Sequence, residues 1–145
     1  MRIAVIADTH DHFPEALCER IAGADQIWHL GDVCSPMVLD RITALGPPTK
    51  VVRGNCDACG AWPVMLDFEV EGRHVFLSHI APRSVPEGVD LLLHGHTHVP
   101  RNDLVGGIRF LNPGCITRPN RGAPASYGWL ELKAGAPVGW RLQRL

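Results

Sequence analysis

The fold is decided near the start of the chain, by the segment Ile3-Ala4-Val5-Ile6-Ala7-Asp8-Thr9-His10. Its first five residues are all apolar, which is typical of a strand buried on both faces of a sheet. Two residues of metal-binding type, Asp8 and His10, follow at once. In open α/β sheets, ligands bind just beyond the carboxyl ends of the strands. The segment therefore predicts a strand that delivers a carboxylate and an imidazole to a functional site.

Strand and helix patterns alternate through the first half of the chain. Apolar residues at helical spacing predict one helix over 14–22 and a second that begins at the Ser35-Pro36 cap and stops at Gly46. Short apolar runs predict strands over 26–30 and 50–52. This βαβαβ order indicates a largely parallel sheet with right-handed crossovers.

The second half of the chain shows strand patterns and turns but no convincing helix. We infer an α/β architecture in which two sheets pack face to face with helices outside, and no linker is long enough to divide 1–145 into two domains. The predicted strands are 64–70, 74–78, 89–94, 99–105, 108–111, 126–132 and 138–142.

Composition excludes several classes of protein. The chain has 145 residues with 14 basic and 15 acidic side chains, so a nucleic-acid partner or a polybasic membrane surface is not expected. No apolar run approaches the ~20 residues of a membrane span, and the N-terminus does not resemble a signal peptide. The five cysteines are an odd number at scattered positions, which indicates reduced thiols and a cytoplasmic location. Monomer and homodimer both stay open.

Five apolar runs are each followed at once by residues of a type that binds metals. Pairs at i and i+2 in extended backbone project from the same face, which would bring such side chains together. Seven donors are too many for one transition ion but suit two ions that share a carboxylate. The candidates are Asp8, His10, Asp32, Asn55, His79, His96 and His98.

Asp32 is the predicted bridge between the two ions. Mixed nitrogen and oxygen donors favour manganese, iron, zinc, nickel or cobalt over magnesium and calcium. Two such ions would leave a net positive centre that attracts phosphate oxygens. One ion would also take Asp8, His10 and His98, and the other would take Asn55, His79 and His96.

These ordered motifs resemble those of the calcineurin-like metallophosphoesterases, and the resemblance runs from Ile3 to about Leu132. Asn112-Pro113-Gly114 resembles the ending typical of the small bacterial and archaeal phosphodiesterases in that superfamily. The motifs are Asp8-x-His10, Gly31-Asp32, Gly54-Asn55-Cys56-Asp57, His79 and Gly95-His96-Thr97-His98. The resemblance implies a four-layer α/β/β/α sandwich of two mixed sheets and a dinuclear site with the ligands given above, manganese being the first expectation.

The resemblance also implies an activity, the hydrolysis of a small phosphate ester by a metal-bound hydroxide. Phosphomonoesterases of the superfamily usually carry histidine after Gly-Asn, where it can act as general acid, whereas this chain has Cys56, as many small phosphodiesterases do. A phosphodiesterase is therefore expected. Residues predicted to take part in catalysis are Asp32, Asn55, His96, Cys56 and His12, the last as a side chain that could face the substrate.

Three other functions stay open at this stage. One is a phosphomonoesterase, acting on proteins or nucleotides, of the same superfamily. Another is a protein-binding scaffold like the retromer subunit that shares the fold, although all seven ligand positions here hold competent donors. The third is a nuclease, which would want a basic groove or an added DNA-binding domain.

Further residues invite other interpretations. His29, His74 and His94 are expected to be structural, and Asp57 could orient the metal-binding loop. Cys34 is expected to be a buried thiol. The Cys56-x-x-Cys59 spacing could mark half a zinc knuckle or a redox pair, but no second pair exists, so membership of the Gly-Asn-Cys-Asp motif explains Cys56 better.

Overall fold

The structure, a computed structural model, describes residues 1–58, 60 and 62–145. The predicted strands and helices are present in the predicted order, with ends that coincide or differ by at most three residues. They are β1 (Arg2–Ile6), α1 (Glu15–Ile21), β2 (Gln26–His29), α2 (Pro36–Thr43), β3 (Thr49–Val51), β4 (Met65–Val70), β5 (Arg73–Ser78), β6 (Leu91–Leu93), β7 (Arg101–Val105), β8 (Ile108–Asn112), β9 (Ser126–Glu131) and β10 (Gly139–Arg144).

The strands form two five-stranded mixed sheets. The first has the order β10-β9-β1-β2-β3, in which β1, β2 and β3 run parallel and β9 runs antiparallel to β1. The second has the order β4-β5-β6-β8-β7, in which β5, β6 and β8 run parallel between antiparallel edge strands. Each sheet therefore contains three adjacent parallel strands, whose carboxyl ends lie on the same side of the sheet.

Alternate residues of the central strands belong to different cores. In β1, Ile3 and Val5 pack between the two sheets, together with Leu77 of β5 and Leu93 of β6. Ala4 and Ile6 point the other way, into a core that both helices cover. This period of two explains the uninterrupted apolar run at the start of the sequence, because both faces of the strand are buried.

The two helices lie where the sequence predicts, although α1 is one residue shorter at each end and α2 ends at Thr43, ahead of the predicted stop at Gly46. Ser35 caps α2, since its hydroxyl accepts a hydrogen bond from the backbone N–H of Met37 at 3.3 Å. Val38 and Ile42 of α2, like Leu17 of α1, are buried against the first sheet. No helix among the described residues is long and apolar enough to cross a membrane.

The predicted fold class is confirmed, and the outer layer over the second sheet has a distinctive form. Phe76 and Leu92 on that face pack with Val85 and Val89, which lie in the segment between β5 and β6. The described part of this segment forms no helix. Only sixteen residues separate His79 from His96, and they include β6 and two prolines, so a helix has little room there.

Candidate metal centre

All seven predicted donors lie at or just beyond the carboxyl ends of strands. The loops after β1, β2 and β3 are joined by backbone hydrogen bonds, including Asp8 N–H to Gly31 O and His10 N–H to Asp32 O, each at 3.0 Å. The loops after β5 and β6 meet through the Gly95 N–H, which donates to His79 O at 3.0 Å. The two sheets thus bring five separate segments of the sequence to one location.

Asp32 lies between two groups of donors. Its Oδ2 atom is 3.9 Å from Nε2 of His10, and its Oδ1 atom is 3.4 Å from Nε2 of His79. The side chain is almost fully buried, so its orientation is set by the surrounding loops. The two oxygens of this one carboxylate therefore face different imidazoles.

The first group surrounds the buried carboxylate of Asp8. Nε2 of His98 is 3.4 Å from Oδ1 of Asp8 and 3.2 Å from Nε2 of His10. The donor atoms of all three residues lie within 4.8 Å of one another. This spacing would allow all three side chains to bind the same metal ion.

The second group surrounds the amide oxygen of Asn55. Nε2 of His79 is 3.0 Å from Asn55 Oδ1, and Nδ1 of His96 is 2.9 Å from the same oxygen. Asn55 and His96 are exposed, whereas His79 is buried. This half of the cluster is therefore open to a ligand from solvent.

The chemistry of these donors fits divalent metal ions. Burial, together with the nearby charge of Asp32, raises the pKa of Asp8 to about 8, and Oδ1 of Asp8 has no hydrogen-bond partner among the described residues. A cation beside Asp8 would stabilise its ionised form. Burial lowers the pKa of His10 and of His79, which favours the neutral imidazole that binds metals.

Backbone carbonyls fix two of the imidazoles. Nδ1 of His79 donates to Leu30 O at 2.8 Å, and Nδ1 of His98 donates to Arg118 O. With Nδ1 protonated in this way, Nε2 presents its lone pair to the cluster. This is the outer hydrogen bond that metal-binding histidines characteristically make.

The backbone at the cluster is strained. Five of the seven predicted ligands have φ between 42° and 68°, in the left-handed region that non-glycine residues avoid, at a cost of about 1–3 kcal/mol each. Gly54 shows how closely the loops approach, because a Cβ atom there would lie 2.1 Å from Oδ1 of Asp32. The strained residues are Asp8, His10, Asp32, His96 and His98.

Asp57 holds two of the ligand loops together. Its Oδ2 atom accepts the backbone N–H groups of Asp32 at 3.0 Å and Gly54 at 2.6 Å, and its Oδ1 atom accepts that of Cys34 at 2.7 Å. The expectation that Asp57 orients the metal-binding loop agrees with these contacts.

Two buried residues support the loops from below. Nε2 of His29 donates to the Thr9 hydroxyl at 3.1 Å, and burial lowers the pKa of His29 to about 4. The amide of Asn112 donates to Gly95 O at 2.9 Å and to the Thr97 hydroxyl at 3.2 Å. His29 has the structural role expected of it, and Asn112 gives a physical reason for the Asn-Pro-Gly motif.

The other candidates lie around the rim. Cys56 is exposed, and its backbone N–H donates to Oδ1 of Asp32 at 2.9 Å. His12 is exposed, and no hydrogen bond joins its side chain to the cluster among the described residues, so its catalytic role stays a prediction. Cys59 lies outside the described residues. Cys34, expected to be a buried thiol, is only half-buried and lies against His10, a contact that the sequence analysis did not predict.

This fold and this donor set define a class of protein, and comparison with known proteins agrees. A family model described as the calcineurin-like phosphoesterase superfamily domain matches residues 1–135. Phosphodiesterase YfcE of Escherichia coli is 30% identical, over 90% of this chain and 88% of that protein. The chain belongs to the calcineurin-like phosphoesterase superfamily.

Two solved structures share the fold at lower sequence identity. An archaeal phosphodiesterase covers 99% of this chain and 100% of its own with a TM-score of 0.83 at 22% identity. Vps29 from Entamoeba histolytica, solved with Zn²⁺, covers 99% of this chain and 98% of its own with a TM-score of 0.79 at 22% identity. The same fold therefore occurs in proteins described as enzymes and in vacuolar sorting proteins.

Proposed function

We propose that this chain is a metal-dependent phosphodiesterase whose centre holds two divalent transition ions, with manganese as the first candidate. The observation that carries the proposal is the position of Asp32, whose two carboxylate oxygens face His10 on one side and His79 on the other. A carboxylate between two sets of nitrogen and oxygen donors is suited to bridge a pair of ions. The ions, when bound, attract phosphate oxygens and lower the pKa of a water that attacks phosphorus.

The residues of the chain divide this work by burial. Asp8, Asp32 and His79 are buried and rigidly held, so they suit retention of the ions. Asn55 and His96 are exposed, so they suit contact with the substrate. The amide of Asn55 and the free imidazole nitrogen of His96 can donate hydrogen bonds to phosphate oxygens, which would orient the ester for attack.

Two clefts border the cluster on different sides. One of about 220 Å³ is lined by Asn55, His79 and Arg53, and one of about 470 Å³ is lined by His96, Arg121 and neighbouring residues. A phosphodiester carries two organic substituents, and a cleft on each side of phosphorus can receive one of them. An arginine in each cleft can contact an anionic or polar group on the substituent.

The presence of Cys56 supports a diester, and not a monoester, as the preferred substrate. Partial desolvation, a hydrogen bond with Asp32 and the charge of Asp32 raise the pKa of the exposed Cys56 thiol, which makes it a weak proton donor near neutral pH. A monoester with a poor leaving group gains from a positioned acid, typically by 10²–10⁴-fold. A diester with a good leaving group needs this assistance less, and its single negative charge requires no further cation.

A protein-binding scaffold could have the same fold, but the site of this chain favours an enzyme. The likeness to Vps29 extends to the fold alone at 22% identity. In this chain every predicted ligand position retains a donor, and the donors converge within hydrogen-bonding or near-contact distances. We therefore favour an enzyme that acts on a small phosphate ester.

The proposal is tested by assaying a paired aryl diester and aryl monoester on metal-free protein reloaded with Mn²⁺, Zn²⁺, Fe²⁺, Co²⁺ or Ni²⁺. We expect kcat/KM to be higher for the diester than for the monoester, with activity lost after chelation. Asp40→Asn, on the exposed face of α2, is the matched control and should retain full activity. Absence of turnover with every metal would overturn the proposed phosphoesterase activity. A strong preference for the monoester would overturn the proposed diester specificity.

A further inference from the structure

A cluster of two thiols and an imidazole lies beside the metal centre. Sγ of Cys34 is 3.7 Å from Nδ1 of His10. The donor atoms of His10, Cys34 and Cys56 all lie within 4.8 Å of one another, although these residues come from three different loops. No part of the proposed hydrolytic reaction uses Cys34.

The cluster uses the opposite edge of the His10 ring from the metal centre. Nε2 of His10 faces His98 and Asp32, whereas Nδ1 faces the thiol of Cys34. One imidazole therefore borders two groups of donors of different chemistry. The first group is nitrogen and carboxylate oxygen, and the second is nitrogen and sulfur.

The spacing matches the shape of a thiolate metal site. Zinc binds sulfur at about 2.3 Å and histidine nitrogen at about 2.0–2.1 Å, so the two donors of a tetrahedral site are about 3.6 Å apart. The separation of 3.7 Å between Cys34 Sγ and His10 Nδ1 is close to that value. The geometry points to a second metal site, in which His10, Cys34 and Cys56 bind one thiophilic ion such as Zn²⁺ and leave a fourth position open.

Both cysteines are held in place through their backbones. The Cys34 N–H donates to Asp57 at 2.7 Å, and the Cys56 N–H donates to Asp32 at 2.9 Å. Only the side-chain torsions remain to adjust when an ion binds. Cys56 is exposed, which gives an ion a path into the site.

The local charge favours a cation. The carboxylates of Asp11, Asp32 and Asp57 lie close enough to the thiol of Cys34 for their negative charge to act on it. The same carboxylates attract a divalent ion. In the metal-free protein each sulfur releases its thiol proton to solvent as it binds and the imidazole proton of His10 stays on Nε2, so one ion displaces two protons and no oxidant is required. When Nε2 of His10 also binds an ion of the dinuclear centre, the imidazole proton is released as well.

The inference does not depend on the proposed phosphodiesterase activity, and its test does not measure turnover. Metal-free protein is titrated with Cd²⁺, a thiophilic probe whose thiolate complexes absorb in the ultraviolet by sulfur-to-metal charge transfer. We expect a band that saturates at an intensity typical of two thiolates. Cys34→Ser and Cys56→Ser should each lose about half of it, whereas Cys18→Ser, on α1, should keep it all.

A second measurement uses the wild type alone and so does not depend on the folding of any variant. Zn²⁺ should slow alkylation of Cys34 and Cys56 at least tenfold, as identified by peptide mass spectrometry, while Mn²⁺ should not. A band that persists in the Cys34→Ser/Cys56→Ser double variant would overturn the assignment. Equal alkylation of both thiols with and without Zn²⁺ would overturn it independently.

Discussion

Oδ2 of Asp57 accepts the backbone N–H of Asp32 at 3.0 Å, which ties the loop after β3 to the carboxylate at the centre of the donor cluster. The same oxygen accepts the N–H of Gly54, and the other carboxylate oxygen accepts that of Cys34. One side chain that faces no predicted ion therefore fixes the backbone of two ligand loops. Such outer contacts typically change metal affinity by 10–100-fold when they are removed.

Asp57→Asn should weaken metal binding by about 10–100-fold without removing a ligand. The amide nitrogen of asparagine cannot accept a hydrogen bond, so at least one of the three N–H groups loses its partner, which should lower the free energy of unfolding by about 1–3 kcal/mol. Isothermal titration with Mn²⁺ and urea unfolding measure the two effects. Asp103→Asn, which removes only an exposed ion pair with Arg101, is the control. Unchanged affinity in Asp57→Asn would contradict the role of these contacts.

Cys56→His should raise monoesterase activity relative to diesterase activity, because an imidazolium donates a proton to the leaving group more readily than a thiol does. The quantity to compare is the ratio of kcat/KM for a paired aryl monoester and aryl diester, in the same metal at neutral pH. We expect the ratio to rise by at least tenfold. Cys56→Ser offers no such acid and should leave the ratio within a few-fold of wild type. If the ratio is the same in Cys56→His as in wild type, Cys56 does not occupy the acid position.

Asp8→Asn should stabilise the metal-free protein near neutral pH while abolishing activity. The pKa of Asp8 is raised to about 8 in the folded state from an ordinary value of 3.8, so between these values the unfolded chain releases a proton that the folded chain retains. Ionisation of this carboxyl in the unfolded chain therefore lowers the free energy of unfolding as the pH rises through this range. An asparagine is neutral throughout and should raise the free energy of unfolding at pH 7.5 by about 1–3 kcal/mol.

Urea unfolding of metal-free wild type and Asp8→Asn at pH 4.5 and pH 7.5 measures this difference. The gain should be smaller at pH 4.5, because Asp8 is protonated in the folded protein and this pH lies less than one unit above the ordinary pKa of 3.8 that it has in the unfolded chain. Asp40→Asn, on an exposed helix face, should show no such pH dependence. If the free energy of unfolding of Asp8→Asn at pH 7.5 is equal to or lower than that of wild type, the inferred cost of burying this carboxylate is contradicted.

Much of the fold could be predicted from the sequence because periodicity and turn residues agree locally. The apolar run of β1 is buried on both faces, as its sequence indicates, and Ser35 caps α2. The outer layer over the second sheet was harder to predict from the sequence. Val85 and Val89 cover that face without helical periodicity, and this depends on tertiary packing.

The predicted ligands could be found because each follows an apolar run at a strand end. The residues that support them could not be found in this way. Asn112 acts on the loop at Gly95 across seventeen positions of sequence. Cys34 meets His10 and Cys56 through loops that only the folded sheets bring together. Such contacts have no local period, and a sequence pattern therefore does not reveal them.

The central claim is that one carboxylate, Asp32, joins two ions in a phosphodiesterase. The most direct measurement is elemental analysis of the manganese-reconstituted Cys34→Ser protein, in which the separate thiol site is disabled, together with its diesterase activity as ions are added back. We predict that activity rises until about two ions are bound per chain. In the same background, Asp32→Asn should lose most of the metal and reduce kcat/KM by at least 100-fold. Full activity at one ion per chain would contradict the account, as would an Asp32→Asn protein that retains both ions.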